Sequence, residues 1–423
     1  MTMWVSVALM TVTAVVGCTS DDATMSELIP EENPTDIPLS NEDNDFNPIV
    51  LTSSEQQLVS HNNDFAFNLF RELAGENKSE IISPISITYA LGMLNNGAAG
   101  ETQTQINKVL GFGETGADGI NAFCHKMLTE ASNLDKLTKV LIANTIYMNK
   151  DYVLKPEFVN KAKQFYEAEP ETRDFCDGQT RDVINKWASD HTMGMIPEIL
   201  KKDEFSTDAV SYLLNAIYFK GAWTAKFNKA DTKDEAFLTG TGKKQVPMMH
   251  QEKEFSYTED DLCQALRLPY GNRAYNITLL LPKEGKTISD VLGTLTAETW
   301  ERFRGMGSEI VDVKLPCFES KSDIDLKDIM TKLGMPNAFD SQLAEFPYFC
   351  NDSTYIDLMK QVAKIKLNEE GTEAAAVTAA GMVCTATLDE PQHVNFHANR
   401  PFLYVISEQS TGTIFFIGKY FGD

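Results

Sequence analysis

The chain has 423 residues, 43% of them hydrophobic and 10% aromatic, which is enough for a sizeable core and excludes wholesale disorder. Its 37 Lys and Arg against 61 Asp and Glu leave a formal charge of -24 at pH 7. That balance argues against nucleic acid as a partner, since phosphate binding draws on Lys and Arg to release counterions.

No Lys or Arg appears before Arg71, and the start of the chain divides in two. "MWVSVALMTVTAVVGC" is an apolar run of signal-peptide length, too short to span a bilayer as a mature helix. It ends in Val15-Val16-Gly17-Cys18, which resembles the bacterial lipobox, although no Lys or Arg precedes the run. The resemblance implies removal of residues 1–17 and lipidation of Cys18; more than one acyl chain gives stable anchoring. Residues 18–50 are then an acidic, Pro-rich tether that buries too little apolar surface to offset its ordering entropy. The implied location is the bacterial outer membrane, at the cell surface or on the periplasmic face.

From Leu51 onward no linker or repeat divides the chain, so residues 51–423 read as one domain. "SSEQQLVSHNNDFAFNLFRELAG" places Leu58, Phe65, Leu69 and Leu73 near one helical face. Ser83 is a candidate N-cap with Pro84 in the first position of the following helix. Strand-like runs follow: "KVLIANTIYM", "AVSYLLNAIYF", "EIVDVKLP", "RPFLYVIS" and "GTIFFIGKY". Helices dominate the first third and strands the last, which predicts an α+β domain with large antiparallel sheets.

Enzymatic chemistry finds little support. His393 and His397 form H-x-x-x-H, but in a segment that reads as extended, where a spacing of four does not set them on one helical face, and no carboxylate partner is expected for them. G-x-S-x-G and P-loop motifs are missing from the sequence. Of the seven cysteines, Cys18 is assigned to lipid. The other six lack C-x-x-C spacing and read mostly as small buried hydrophobes. No cofactor or metal is expected.

Several segments, in order, resemble the serpins, metastable inhibitors of serine and cysteine proteases. They are "IISPISITYALGMLNNGAAGETQTQI", "INKWASDHTMGMIPEIL", "LLNAIYFKGAWTAKF", "VPMMHQ", "LRLPYGNRAYNITLLLP", "VDVKLPCFESKSDIDLKDIMTKLGM" and "FHANRPFLYVISEQSTGTIFFIGKY". The resemblance implies three β-sheets, about nine helices and an exposed reactive centre loop over about 369–391. It also assigns Ser83, Ser86, Asn215 and Gln361 to the region called the shutter, and Trp223 to the breach. "EEGTEAAAVTAA" matches the inhibitory hinge, here Glu369, Glu370, Gly371, Thr372, Glu373, Ala374, Ala375 and Ala376. In the family a protease cuts the loop, the loop enters the main sheet as a new central strand, and the acylated protease is carried along and distorted. The native state then persists behind a barrier.

The residues themselves are compatible with such a strand. Side chains alternate along a strand. Counted from Thr372, the inward set is Thr372, Ala374, Ala376, Thr378, Ala380 and Met382, all small or apolar, while Glu373 points to solvent. Pro is absent from Gly371 through Glu390, and Pro would remove a donor from a central ladder. Gly371 offers a backbone pivot.

Two departures stand out. Gln361 occupies the place where the family often has His. Cys317 follows Leu315-Pro316 where some members carry the Lys that pairs with the hinge Glu. Glu369 is therefore expected to lack that partner, leaving the top of the sheet easier to open. The family's spacing from Gly371 puts the scissile bond between Thr385 and Ala386, with Met382, Cys384, Thr387 and Leu388 as neighbouring alternatives. No Lys or Arg lies between Gly371 and Glu390, so elastase-, subtilisin- or papain-like targets fit better than trypsin-like ones. The expected protein is a monomeric, lipid-anchored protease inhibitor rather than an enzyme. A non-inhibitory binding or carrier protein with the same fold is the main alternative. A surface hydrolase or glycan-binding lipoprotein would need catalytic or Trp-rich groups that the sequence does not offer.

Overall fold

The computed structural model describes residues 44–75, 77–372 and 393–423. Cys18, Glu373, Ala374, Ala375, Ala376, Met382, Cys384, Thr385, Ala386, Thr387 and Leu388 lie outside the described residues.

The chain runs through α1 (Ser53–Leu73), β1 (Glu80–Ile82), α2 (Pro84–Asn95), α3 (Gly100–Leu110), α4 (Gly116–Ala131) and β2 (Thr138–Asn149). It continues with α5 (Pro156–Tyr166), β3 (Glu171–Arg173), α6 (Thr180–His191), β4 (Ser211–Ala222), β5 (Lys233–Thr239), β6 (Gly242–Glu259), β7 (Cys263–Tyr270) and β8 (Tyr275–Pro282). The last third holds α7 (Ile288–Thr294), α8 (Ala297–Arg304), β9 (Gly307–Pro316), β10 (Phe318–Asp325), α9 (Lys327–Leu333), β11 (Leu358–Asn368), β12 (Gly371–Thr372), β13 (His393–His397), β14 (Phe402–Glu408) and β15 (Ile414–Tyr420). Nine α-helices among the described residues agree with the expected α+β class.

Local chemistry sets the helix starts. Thr52 and Glu55 close a reciprocal capping box on α1. Leu58, Phe65 and Leu69 are buried beneath it. Helix α2 is buried on every side, as its run of Ile, Leu and Met requires. Pro84 opens it, but Ser83 makes no side-chain cap bond, contrary to the sequence expectation. The Ser83 backbone is instead bonded by Gln361.

Two hydrogen-bonded sheets enclose the core. The main sheet has the order β10-β11-β12-β4-β2-β3, in which β11 runs parallel to β4. The other connects nine strands, β1-β15-β14-β8-β7-β6-β9-β13, with β5 on β6. Three sheets were implied; the second and third are continuous because the 18-residue β6 passes from one into the other. It pairs with β9 from Met248 to Tyr257 and with β7 from Ser256 to Glu259.

Helix α6 packs on the outer face of the main sheet. Ile184, Ala188 and Ile199 there form a second small core with Tyr147, Tyr212, Leu214, Leu358 and Val362. At the start of the described chain, Asn44 bonds both Asp135 and the Lys136 backbone, and Ile49 is buried. The chain thus meets the body several residues before Leu51. No helix among the described residues is long and apolar enough to cross a membrane.

Candidate functional site: the hinge, the breach and the seam of the main sheet

The centre of the main sheet contains a seam between β11 and β4. The two strands pair directly from Leu358↔Tyr212 to Lys364↔Tyr218. Beyond that point they part, and β12 stands between them. Thr372 pairs with Leu367 on β11 and Gly221 on β4, while Gly371 pairs with Asn368 and Ala222. The hinge has therefore entered the sheet by two residues, antiparallel to both neighbours.

Gly371 makes this entry possible. Its φ is +145°, and a Cβ would overlap the Gly221 carbonyl oxygen and sit 2.8 Å from the Ala222 Cα. Only glycine fits that approach without moving backbone. Thr372 is fully buried, with Oγ1 2.8 Å from the Tyr270 hydroxyl. Burial raises the Tyr270 pKa well above its usual value, so the phenol stays neutral and able to donate.

Trp223 organises the turn before the hinge. Its ring stacks on Tyr270 at 4.5 Å, and its indole N–H donates to the Asn368 carbonyl at 2.8 Å. The Trp223 and Phe227 amides donate to the carbonyls of Glu370 and Glu369 at 2.9 and 3.0 Å. Three hydrogen bonds thus fix the chain where β11 turns into β12.

The two hinge carboxylates are also held. Glu369 lacks a lysine, as expected, but it does not lack a partner: it accepts from Thr232 Oγ1 at 2.8 Å. Cys317 lies against the same carboxylate. Burial first, and the Glu369 charge second, push its thiol up to about 12, so it remains a neutral donor. Glu370 pairs with Lys226 at 2.7 Å and Lys229 at 3.7 Å. The Lys226 bond leads the lowering of its pKa. The missing lysine is replaced by Thr232 because the polypeptide after Phe227 folds back over the end of the seam.

Further down the seam the expected shutter residues come together, all buried. Asn215 donates to the Ser86 hydroxyl and to Asn144 Oδ1 at 2.6 Å. Gln361 Nε2 donates to Asn215 Oδ1 at 2.6 Å and to the Ser83 carbonyl at 3.0 Å. Its Oε1 accepts from the Ser83 amide at 2.9 Å. The network ties β11 to β4, β2 and the start of α2 through uncharged groups. The Ser83 hydroxyl has no partner among the described residues. One residue away, Lys360 is buried and pairs with Glu204 at 2.5 Å and Asp323 at 2.7 Å.

Sequence reasoning missed Asn144, Tyr270 and Thr232. For Asn144 a signal existed: "NTIY" at 144–147 repeats the pattern of "NAIY" at 215–218, and the two Asn pair across β2 and β4. The histidines also differ from expectation. His393 does meet a carboxylate, Glu252, at 3.1 Å, and His397 and His250 both bond Asp312. No group of three metal-ligating side chains is arranged for an ion among the described residues. The described cysteines are free; Cys124, Cys263 and Cys350 are buried, and Cys176 is exposed.

Residues 60–422 match the family described as Serpin (serine protease inhibitor). This chain belongs to the serpin family. The human leukocyte elastase inhibitor is 32% identical over 380 residues, covering 86% of this chain and 99% of its own length. The crystal structure of tengpin, a thermophilic serpin in its native state, superposes with a TM-score of 0.80 at 26% identity. That match covers 90% of this chain and 97% of tengpin. Human thyroxine-binding globulin in complex with thyroxine superposes with a TM-score of 0.79 at 28% identity, covering 87% of this chain and 98% of the globulin. An elastase inhibitor and a thyroxine-binding globulin are thus both similar to this chain.

Proposed function

We propose that this serpin is an inhibitor that traps a serine or cysteine protease as a covalent acyl complex, through cleavage of the loop and its insertion between β11 and β4. The observation that carries the reading is β12: Gly371 and Thr372 already ladder with both strands. The residues that follow are small, Pro-free and of the right parity to continue. A loop built only to be cut would need none of these features.

The scissile bond is assigned to Thr385–Ala386, within a window from Met382 to Leu388. The small side chains there suit elastase- or subtilisin-like pockets, and Met382 or Leu388 suits a papain-like one. The likeness to an elastase inhibitor points the same way. The protein acts at the cell surface or periplasmic face, held to the outer membrane by lipid on Cys18.

The test is to mix the chain with an elastase-, a subtilisin- and a papain-like protease and examine denaturing gels and fragment masses. A detergent-stable complex and a released peptide beginning at Ala386 are expected. Free turnover by every protease that cuts the loop would establish the carrier reading, for which the thyroxine-binding globulin likeness is the precedent. Anchoring is tested separately: Cys18→Ala should abolish labelling by a radioactive fatty acid.

A further inference from the structure

Lys360 stands where the packing calls for an apolar residue. Leu358, Lys360 and Val362 alternate onto the outer face of β11, and Leu358 and Val362 belong to the small core beneath α6. The side chain of the lysine between them is 1% exposed. A buried ammonium is costly unless it is paired. Asp325, opposite Lys360 in the β10–β11 register, accepts from the Lys327 amide at 3.0 Å. The partners of Lys360 are Asp323, diagonally across on β10, and Glu204, which belongs to neither strand.

Glu204 lies in the connection from α6 to β4, which is tied to the helix and to both sides of the seam. On the helix, Asn185 accepts from the Ile199 and Leu200 amides at 3.0 and 2.9 Å and donates to the Leu200 carbonyl at 3.0 Å. On β4, the Tyr212 hydroxyl accepts from the Ser206 amide at 2.7 Å, and the Phe205 ring lies 5.9 Å from the Tyr212 ring. On β10 and β11, Lys201 pairs with Asp323 at 2.7 Å and Glu204 with Lys360. Tyr212 and Leu358 are direct partners across the seam, as are Leu214 and Lys360. Residues 201–206 therefore cross the seam where it is closed. Gln361, the neighbour of Lys360, makes the crossing bond to Asn215 on the inner face. The seam is held at one level on both faces, by amides inside and by charges outside.

We infer that residues 201–206 are a strap, latched by Lys360 and Asp323, that sets how readily β11 parts from β4. The strap runs on into β4, and the latch joins it to the β10–β11 pair. Parting the strands therefore breaks either the latch or the bonds to Tyr212 and Asn185. Breaking the latch takes the Glu204 carboxylate away from a buried ammonium, a loss far larger than that of a surface pair. An entering strand must also pass beneath the strap, so the latch times the trap. Only that role in trapping rests on the insertion reading above.

The test is hydrogen exchange on the full, uncut chain and on its Lys201→Gln/Glu204→Gln variant, which frees the strap and leaves the Lys360–Asp323 pair in place. Peptides spanning residues 211–219 and 358–365 report on the seam, and one spanning 402–420 on the other sheet. Exchange at the seam should accelerate about tenfold, the scale of one or two bonds to charged groups, with 402–420 unchanged. Lys201→Arg alone keeps the charge and should exchange at the parent's rate. Equal exchange at the seam in parent and double variant would overturn the latch. An acceleration shared by residues 402–420 would overturn it too, since that marks general destabilisation. The role in trapping is measured apart, as the moles of serpin consumed per mole of subtilisin-like protease inhibited. That number should fall in the double variant, and an unchanged or higher number would overturn the timing role. A chain that is cut and traps nothing would overturn the insertion reading, while the latch stands or falls on the exchange.

Discussion

Gln361 on β11 donates to Asn215 on β4 at 2.6 Å, and this bond closes the seam at mid-sheet. Continuing the β12 register by six residues would bring Thr378 between these same two side chains. A strand entering the sheet must therefore replace an amide–amide bond with bonds to a hydroxyl. Thr can both donate and accept, so the exchange leaves no buried group stranded.

Because Gln361 does not titrate, the seam itself is blind to pH over the neutral range. Gln361→His should remove that property. An imidazole there is enclosed by uncharged partners, and burial disfavours its protonated form. Its pKa in the folded protein should fall below the unfolded value near 6.5, so the folded state binds fewer protons. Stability of the uncleaved variant should then decline as pH drops from about 7 to 5. Urea unfolding at a series of pH values tests this; a profile parallel to the parent's would refute it.

Gly371→Ala should expel the hinge from the sheet, since the added methyl meets the Gly221 carbonyl and the Ala222 backbone. The cost of holding Ala at such a conformation is about 1–3 kcal/mol before any clash. The amide of Trp223, bonded to the Glu370 carbonyl, should lose protection. Hydrogen exchange of a peptide spanning residues 221–228 is the measurement, with slow exchange retained as the contrary result.

Thr372→Arg should convert an inhibitor into a substrate. The position is fully buried against Tyr270, and a guanidinium there would need a charged or polar partner that this pocket does not provide. The cleaved parent should unfold at least about 10 °C above the uncleaved chain, given about 2–4 °C per kcal/mol for domains of 150–250 residues and less for larger ones. The cleaved variant should show little gain. Thr372→Val, which keeps the shape and loses the hydroxyl bond, should retain most of it.

Acid should loosen β13 before it unfolds the rest. Burial raises the Asp312 pKa, but bonds from His250 and His397 more than offset it, leaving the carboxyl below its usual value. A depressed carboxylate contributes stability above its unfolded pKa, near 3.9, and loses it as pH falls through the folded value. Hydrogen exchange of residues 393–397 should therefore accelerate below about pH 4, and Asp312→Asn should show the faster exchange already at pH 6. No acceleration on acidification to pH 3 would count against the role of Asp312.

Much of this site was legible because its members sit inside segments that chain order alone puts in register. Ser86, Asn215, Gln361 and Trp223 were placed by the resemblance of the segments that carry them. Thr232 and Lys226 were not, because hydrophilic residues in a loop look alike until folding brings one of them over Glu369 or Glu370. The continuity of two sheets through β6 was equally hidden. Alternation of side chains marks a strand but does not say where along its length it changes neighbours. Ser83 illustrates the converse, a residue in the right place for a cap whose backbone was claimed by a side chain 278 residues away.

The short strand β12 has a kinetic meaning. Ordering a flexible segment into a ladder costs most at its first contact, when dihedrals are fixed and few bonds are returned. Here that contact, between β12 and its two neighbours, is already made, so under the proposed mechanism entry would begin from a nucleus. Each further residue can then add its bonds as it is fixed, in the manner of a zipper closing from Trp223 toward Asn215. Under the proposed mechanism the slow event is the parting of β11 from β4, and the search for the seam is already over.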